Sequence, residues 1–153
     1  MMNLDLFDFL KRKAWLLAIE KHKLQKYDSE KYIEHIKRVY YRVATLIPDS
    51  ETKPTMEIVA IIHDIVEDAD YSFEEVEEVF GKEIRIAVEH ITRDKSKETY
   101  FEYIERARKN IIAKNVKICD ILENLQHCYL NIGKHGSKIS RYEKALILLS
   151  QEN

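Results

Sequence analysis

Apolar residues recur at intervals of three and four along most of the chain, which is the spacing of one face of an α-helix. The first such segment covers residues 4–26, as two helical segments or one bent helix, and a turn is predicted at residues 27–29. Further helices are predicted over residues 30–46, from Pro54 onward, and over the following segments: 73–80, 83–91, from about 100, 111–125 and 142–149. Residues 131–138 are predicted to form a loop. Because no stretch alternates long enough for a strand, the pattern predicts an all-α fold.

The helix after Pro54 contains the most unusual pattern, V-A-I-I-H-D-I-V-E-D over residues 59–68. In a continuous helix, Glu67 would lie one turn beyond His63, and Asp68 one turn beyond Asp64. Apolar residues cover the remaining faces, so these ionisable groups would project from a mostly buried helix. An unpaired charge there would be costly. The pattern therefore indicates a compensating partner, and a metal ion is the simplest candidate.

Composition narrows the class of protein. The 153 residues suit one domain with one core, and only 3 Gly and 2 Pro favour long helices with few turns. The net charge of -2 indicates no general attraction to nucleic acid. No apolar run is long enough to span a bilayer, and no secretion signal is apparent. Two cysteines do not make a disulfide framework. We expect one cytoplasmic domain over residues 1–153 with a small-molecule partner; an oligomer is compatible with the composition but not indicated by it.

A second apolar helix is interrupted by Asp120, with Lys117 about one turn earlier and Asn124 one turn later. A third candidate, His35, lies beside the apolar stripe of the helix predicted over residues 30–46. The predicted metal ligands, two imidazoles and two carboxylates, are His35, His63, Asp64 and Asp120. Such a set suits a divalent transition ion (Mn, Fe, Co, Ni or Zn) more than Mg or Ca.

Four protein ligands leave open positions on a six-coordinate ion, where a water could bind and lose a proton near neutral pH. Glu67 and Asp68 are then placed for general acid or base work on that water. The alternatives are structural: a surface ion pair of His63 with Asp64, a partly exposed helix position for His35, and for Asn124 a cap or a hydrogen bond to a buried backbone group. Two tyrosines at helical spacing, Tyr100 and Tyr103, pack in the core by default. Four other histidines are expected to be structural or solvent-facing: His22, His90, His127 and His135.

The order of the candidate ligands resembles the H…HD…D signature of the HD-domain metal-dependent phosphohydrolase superfamily. Within it, the chain is similar to the RelA/SpoT-like hydrolase domains for guanosine tetra- and pentaphosphate (ppGpp) and to small alarmone hydrolases. Residues 63–68 match the H-D-x-x-E-D segment of that group, and residues 32–35 resemble its Y-I-x-H segment. Residues 80–93 and 116–124 resemble its F-G…T-K/R and V-K-(I/L)-A-D…N segments. The likeness covers residues 15–150.

The resemblance implies that the four candidate ligands hold the metal, with Mn²⁺ the usual ion of the family. It implies that Glu67 and Asp68 position or activate the water that attacks the 3′-pyrophosphate of ppGpp. It also implies that Asn124 contacts the nucleotide. Tyr100 and Tyr103 match the S-Y-x-x-Y-I segment of shorter members of the group.

The sequence indicates the type of reaction more clearly than it indicates the substrate. Lys26, Lys117 and Arg93 are expected to neutralise phosphates, but residues 22–28 lack the Arg-Lys pair with which the family helps hold its nucleotide. A second hypothesis is therefore an HD phosphohydrolase for a nucleoside monophosphate, a deoxynucleotide or a cyclic nucleotide. A third is a nucleotide-binding regulator without turnover, against which the Glu67-Asp68 pair argues.

Overall fold

Helices dominate the computed structural model, which describes residues 4–152. In this part of the chain the helices are α1 (Leu4–Lys21), α2 (Tyr32–Leu46), α3 (Lys53–Ile62), α4 (Ile65–Asp68), α5 (Phe73–Phe80), α6 (Lys82–Ile91), α7 (Tyr100–Arg108), α8 (Ile111–Leu130), α9 (Ile132–His135) and α10 (Ile139–Ser150). A short antiparallel ribbon, β1 (Lys26–Tyr27) with β2 (Glu30–Lys31), joins α1 to α2. The predicted all-α fold is confirmed.

The apolar stretch of α3 lies at the centre of the larger core cluster. Its residues from Ile58 to Ile62 are fully buried, and α1, α2, α6 and α8 pack against this helix. A second apolar cluster joins α7, α8 and α10, with Ile104, Ile121 and Leu149 at its centre. Since α8 contributes to both clusters, it connects them. No helix within residues 4–152 is long and apolar enough to cross a membrane.

The predicted continuous helix through residues 59–68 is wrong. Helix α3 ends at Ile62, and a turn at His63 and Asp64 precedes α4. Asp64 has φ −101° and ψ 3°, outside the helical region, although its carbonyl still accepts a hydrogen bond from the Asp68 N–H at 2.9 Å. The Tyr32 hydroxyl donates to the Asp64 carboxylate from α2. The break is therefore accompanied by a contact from another helix, which local periodicity does not reveal.

Two connections contain structure that the sequence did not predict. The predicted turn after α1 is the tip of the β1–β2 ribbon, where Asp28 takes a φ of 52° in the left-handed region that Asp tolerates better than most residues. The predicted loop at residues 131–138 is instead helix α9 followed by a 3₁₀ turn. The Asn131 carbonyl accepts hydrogen bonds from the N–H groups of Lys134 and His135, which starts this helical turn.

Helix ends follow the sequence closely. The predicted capping box is confirmed: the Glu75 N–H donates to the Ser72 hydroxyl at 3.1 Å, and the Ser72 N–H donates to the Glu75 carboxylate at 2.8 Å. Gly81, with φ 90°, separates α5 from α6 in a conformation that a side chain would strain. Asn110 caps α8, the helix that carries Asp120.

Candidate active site

Three parts of the chain bring the four predicted metal ligands together. His35 extends from α2, His63 and Asp64 from the turn after α3, and Asp120 from α8. The His35 Nε2 lies 3.0 Å from Asp120 Oδ1, and the His63 Nε2 lies 3.0 Å from Asp64 Oδ2 and 3.6 Å from Asp120 Oδ1. Both imidazoles and Asp120 are buried. The sequence therefore identified a real cluster of imidazole and carboxylate groups.

The imidazole of His63 is oriented as a metal ligand would be. Its Nδ1 lies 2.7 Å from the Ala60 carbonyl oxygen, which is a hydrogen-bond acceptor only, so this nitrogen carries a proton. The Nε2 is buried, faces the carboxylates and makes no well-aligned hydrogen bond. A neutral imidazole with its proton fixed on Nδ1 offers its Nε2 lone pair to a metal ion. Together with His35 and the two aspartates, this donor set fits a divalent transition ion.

The charges of the cluster depend on one another. Burial raises the pKa of Asp64, but the neighbouring His63 imidazolium lowers it more, so the pKa falls to about 2. Burial likewise raises the pKa of Asp120, which the Lys117 ammonium and the two imidazoles lower well below its usual range. Burial lowers the pKa of His63, but the carboxylates of Asp64 and Asp120 raise it well above its usual range. Without an ion His63 is therefore an imidazolium, and an ion bound at Nε2 would displace the proton there. The aspartates are thus ionised at neutral pH and attract a cation.

The predicted catalytic pair lies next to Asp64, on α4. Carboxylate oxygens of Asp64, Glu67 and Asp68 lie within 4.8 Å of one another. Burial raises the pKa of Glu67 and of Asp68, and the negative charge of Asp64 raises both further. Glu67 also accepts a hydrogen bond from the Arg93 N–H at 2.8 Å. Two carboxylates with raised pKa values beside a cation site are stronger proton acceptors than ordinary surface carboxylates.

A cavity of about 250 Å³ adjoins this cluster and contains most of the predicted substrate contacts. Five of the six line it: Arg93, Tyr100, Tyr103, Lys117 and Asn124. Lys26 is exposed on β1 and is not part of this lining. The cavity also includes three residues that the sequence did not indicate, Lys95, Arg141 and Tyr142.

Several of the lining side chains are already engaged within the protein. The Lys117 ammonium lies 2.7 Å from Asp120 Oδ2, and the Tyr103 hydroxyl donates to the Ile91 carbonyl at 2.5 Å. The Asn124 amide donates to Asp120 Oδ1 at 3.3 Å and accepts from the Tyr27 hydroxyl at 2.9 Å. The core-packing alternative is supported for Tyr103, which also lines the cavity. Asn124 lies inside α8 and bonds to side chains, so neither a cap nor a bond to a backbone group is observed for it within residues 4–152.

Arg141 and Tyr100 form a second group in the same cavity. The Arg141 guanidinium lies 4.6 Å from the centre of the Tyr100 ring and 5.2 Å from that of Tyr142. The Tyr100 hydroxyl is buried without a hydrogen-bond partner, and burial raises its pKa to about 12. Arg141 and Tyr142 are adjacent in an ordinary amphipathic helix, so only the fold reveals that they reach this cavity.

His22, expected to be structural or solvent-facing, is buried close to the catalytic pair. Its Nδ1 lies 2.7 Å from Gln25 Oε1, and the amide of Gln25 approaches the Asp68 carboxylate at 3.5 Å. The exposed fraction of His22 is 1%, which rules out a solvent-facing position. In the sequence, His22 and Gln25 stand three residues apart within residues 22–28, and this spacing was the only sign of their contact.

Comparisons with known proteins agree with this geometry. The chain is 32% identical over 138 residues to the guanosine-3′,5′-bis(diphosphate) 3′-pyrophosphohydrolase of Aquifex aeolicus, covering 85% of this chain and 19% of that protein. It is 34% identical over 122 residues to the enzyme of the same name from Danio rerio, covering 71% of this chain and 63% of that protein. The chain thus spans less than two thirds of these relatives. No protein-family model matches the sequence.

A solved structure gives the same result. A metazoan ortholog of SpoT, described as hydrolysing ppGpp, superimposes with a TM-score of 0.78 at 26% identity, over 94% of this chain and 87% of that one. The fold, the arrangement of the H…HD…D residues and these relatives agree. The chain belongs to the HD-domain superfamily, among the RelA/SpoT-like hydrolase domains.

Proposed function

We propose that this protein is a metal-dependent phosphohydrolase that removes the 3′-pyrophosphate of ppGpp, with Mn²⁺ as its ion. The observation that carries the proposal is the convergence of four ligands, His35, His63, Asp64 and Asp120, beside the Glu67-Asp68 pair. The relatives named as 3′-pyrophosphohydrolases in two organisms support the substrate.

In this proposal the protein supplies positioning and proton transfer. A bound divalent ion provides Lewis-acid activation of the water and of the phosphoryl oxygen. Glu67, whose pKa is raised and whose carboxylate is held by the Arg93 N–H, accepts the proton of the attacking water. Asp68 lies beside it and orients the same water.

The charge of the cavity supports a phosphorylated substrate. Arg93, Lys95 and Arg141 bring three cationic side chains to its walls in addition to Lys117, which is paired with Asp120. Arginine and lysine are the usual partners of phosphate oxygens. Tyr100 and Tyr142 add aromatic faces next to Arg141. A larger cleft of about 730 Å³ lies along Glu67 and Asp68 and gives space for the rest of a nucleotide.

We also propose that the reaction takes place in the cytoplasm and that residues 1–153 act as one domain. Cys119 and Cys128 are both buried free thiols, as is usual in a reducing compartment. The contribution of α8 to both core clusters supports a single folding unit.

The proposal is tested with metal-stripped protein and ppGpp, with and without Mn²⁺, while GDP and pyrophosphate are followed by chromatography. Mn²⁺-dependent release of pyrophosphate is expected. Asp64→Ala should lose the ion and the activity, whereas Asp49→Ala, at an exposed carboxylate, should keep both. Turnover retained in Asp64→Ala would contradict the assigned ligand set.

The same assay separates the other hypotheses. A panel of nucleoside monophosphates, deoxynucleotides and cyclic nucleotides is offered under the same conditions. Hydrolysis of one of these without hydrolysis of ppGpp would contradict the substrate and keep the chemistry. Tight binding of ppGpp without any product, under several divalent ions, would contradict the enzymatic role altogether.

A further inference from the structure

A second cluster of potential metal ligands lies outside the site described above. Asp28 stands at the tip of the β1–β2 ribbon, His127 in the last turn of α8, and His135 at the end of α9. The Nε2 atoms of His127 and His135 lie 2.6 Å and 2.7 Å from the same oxygen, Asp28 Oδ2. One ligand atom from each residue lies within 4.8 Å of the others. We propose that Asp28, His127 and His135 form a second binding site for a divalent transition-metal ion, of the Zn²⁺ or Co²⁺ type.

The ligand chemistry favours such an ion. Two imidazole nitrogens and one carboxylate oxygen are a common protein set for Zn²⁺, with a fourth position left to water. All three side chains are partly exposed, at 13–24% of their full surface, so an ion can enter from solvent. In a tetrahedral site, metal–ligand distances of about 2.0–2.1 Å place the ligand atoms about 3.3 Å apart, so each imidazole nitrogen would have to move away from Asp28 Oδ2 by about 0.7 Å.

The negative charge of the Asp28 carboxylate is suited to binding a cation. The Lys134 ammonium lies 2.6 Å from Asp28 Oδ1, so it pairs with the other carboxylate oxygen and leaves Oδ2 to the imidazoles. Hydrogen bonds from Lys134, then His127 and His135, hold the pKa of Asp28 below its usual range. The carboxylate is therefore ionised at neutral pH. Binding replaces two N–H···O hydrogen bonds by two nitrogen–metal bonds, and each Nε2 proton is released to solvent or carried on Nδ1.

A purely structural role is the competing explanation. In that case the imidazoles would only fasten the ribbon to α8 and α9 by hydrogen bonds. A single lysine already compensates Asp28, however, and two imidazoles from different helices directed at one oxygen atom are more than a neutralised carboxylate requires. The proposal does not depend on the proposed function, since none of the three residues belongs to the candidate active site.

The side chain of Tyr27 connects the proposed second site with the candidate active site. The Tyr27 ring lies between the two groups of potential ligands, with its centre 4.5 Å from that of the His127 ring and 5.2 Å from that of the His35 ring. Its hydroxyl donates a hydrogen bond to Asn124. An ion that fixed Asp28 and His127 would hold the adjacent Tyr27 in place. Binding at the second site is thus connected to Asn124, which contacts Asp120.

The experiment measures how many ions the folded protein binds. Metal-stripped protein is equilibrated with Co²⁺ and with Zn²⁺, and bound metal is measured by mass spectrometry, with Co²⁺ absorption as a second readout. Two equivalents are expected for the wild type, and one for Asp64→Ala, which retains only the second site. The double variant His127→Gln/His135→Gln should bind one equivalent and lose the Co²⁺ absorption of a site with two imidazoles and one carboxylate.

The control variant is His90→Gln, which changes a half-buried histidine bonded to the Ile86 carbonyl and should still bind two equivalents. Circular dichroism verifies that each variant is folded. The proposal would be overturned if the wild type and the double variant bound the same number of equivalents. Because the double variant keeps the four active-site ligands, the result remains decisive even if Asp64→Ala does not fold.

Discussion

At the scale of single residues, three of the four candidate ligands, His63, Asp64 and Asp120, are held by neighbours that fix their orientation. The Ala60 carbonyl fixes the proton of His63 on Nδ1, and the Tyr32 hydroxyl donates to the Asp64 carboxylate. Asp120 accepts from Lys117 and from Asn124. These supporting contacts orient the donors before an ion binds, which is how metal sites keep their geometry.

Glu67→Gln tests proton transfer separately from structure. The amide oxygen of the new side chain can still accept the hydrogen bond from the Arg93 N–H, but it cannot take a proton. We expect turnover of ppGpp to fall by about 10²- to 10⁴-fold, with the bound metal unchanged. Glu74→Gln, an exposed glutamate on α5, is the control and should keep full activity. Turnover of Glu67→Gln within a factor of two of the wild type would exclude Glu67 as the base.

At the scale of elements, the interface between α2 and α8 carries an ion network that crosses the molecule beside the site. The buried Glu123 carboxylate accepts from Arg38 Nε at 2.5 Å and from Arg42 Nε at 2.7 Å, and Arg38 also pairs with Glu30. Helix α2 carries His35 and α8 carries Asp120. The network therefore stabilises the packing of two helices that each supply a candidate ligand.

Glu123→Gln should destabilise the protein because it removes the charge that both arginines share while keeping the side-chain volume. The arginines are partly exposed, so water compensates in part, and we expect a loss of about 2 kcal/mol in the free energy of unfolding. Urea denaturation measures this loss. Glu34→Gln, which removes an exposed pair with Lys37 on the same helix, should cost less than about 0.5 kcal/mol. Equal losses in the two variants would show that burial of Glu123 contributes nothing.

Elements with a long apolar period could be predicted from the sequence, whereas short connections could not. The pattern gave α2, α5 and α6 to within two residues, because an amphipathic face needs only local information. It gave the start of α8 but ended that helix five residues too early. The break after Ile62 preserves a helical hydrogen bond and coincides with a contact from Tyr32, so the local pattern contains no trace of it. Similarly, a two-residue strand is too short for alternation to be visible.

At the scale of the whole molecule, the sequence revealed the site residues that stand out in a local pattern and missed those that are brought together only by the tertiary fold. His63, Asp64 and Asp120 interrupt apolar stretches of the sequence, and such an interruption is visible without the fold. Arg141 lies on an ordinary surface helix, and Asp28 comes within 2.6 Å of His127 across 99 positions of sequence. Contacts of that kind depend on how α8 packs against the ribbon and α10. Without the tertiary fold, no residue pattern distinguishes them from a solvated surface.

A divalent ion bound among these carboxylates should raise the stability of the folded protein. An ion that binds only the folded state at 100 times its dissociation constant adds about 2.7 kcal/mol. For a chain of this size each kcal/mol raises the melting temperature by about 2–4 °C, so Mn²⁺ should raise it by about 5–10 °C and a chelator should reverse the change.

This measurement is made in the His127→Gln/His135→Gln background, so that the shift reports only the site formed by α2, α8 and the turn after α3. Asp120→Asn should abolish the shift, because it removes a charged ligand that His35 and His63 both face. Its own melting temperature in the absence of metal will differ, since Lys117 loses its partner, and the comparison is therefore between shifts. Asp49→Asn should retain the full shift. A shift that survives in Asp120→Asn would mean that Mn²⁺ stabilises the protein from elsewhere, and the ligand set proposed above would have to be abandoned.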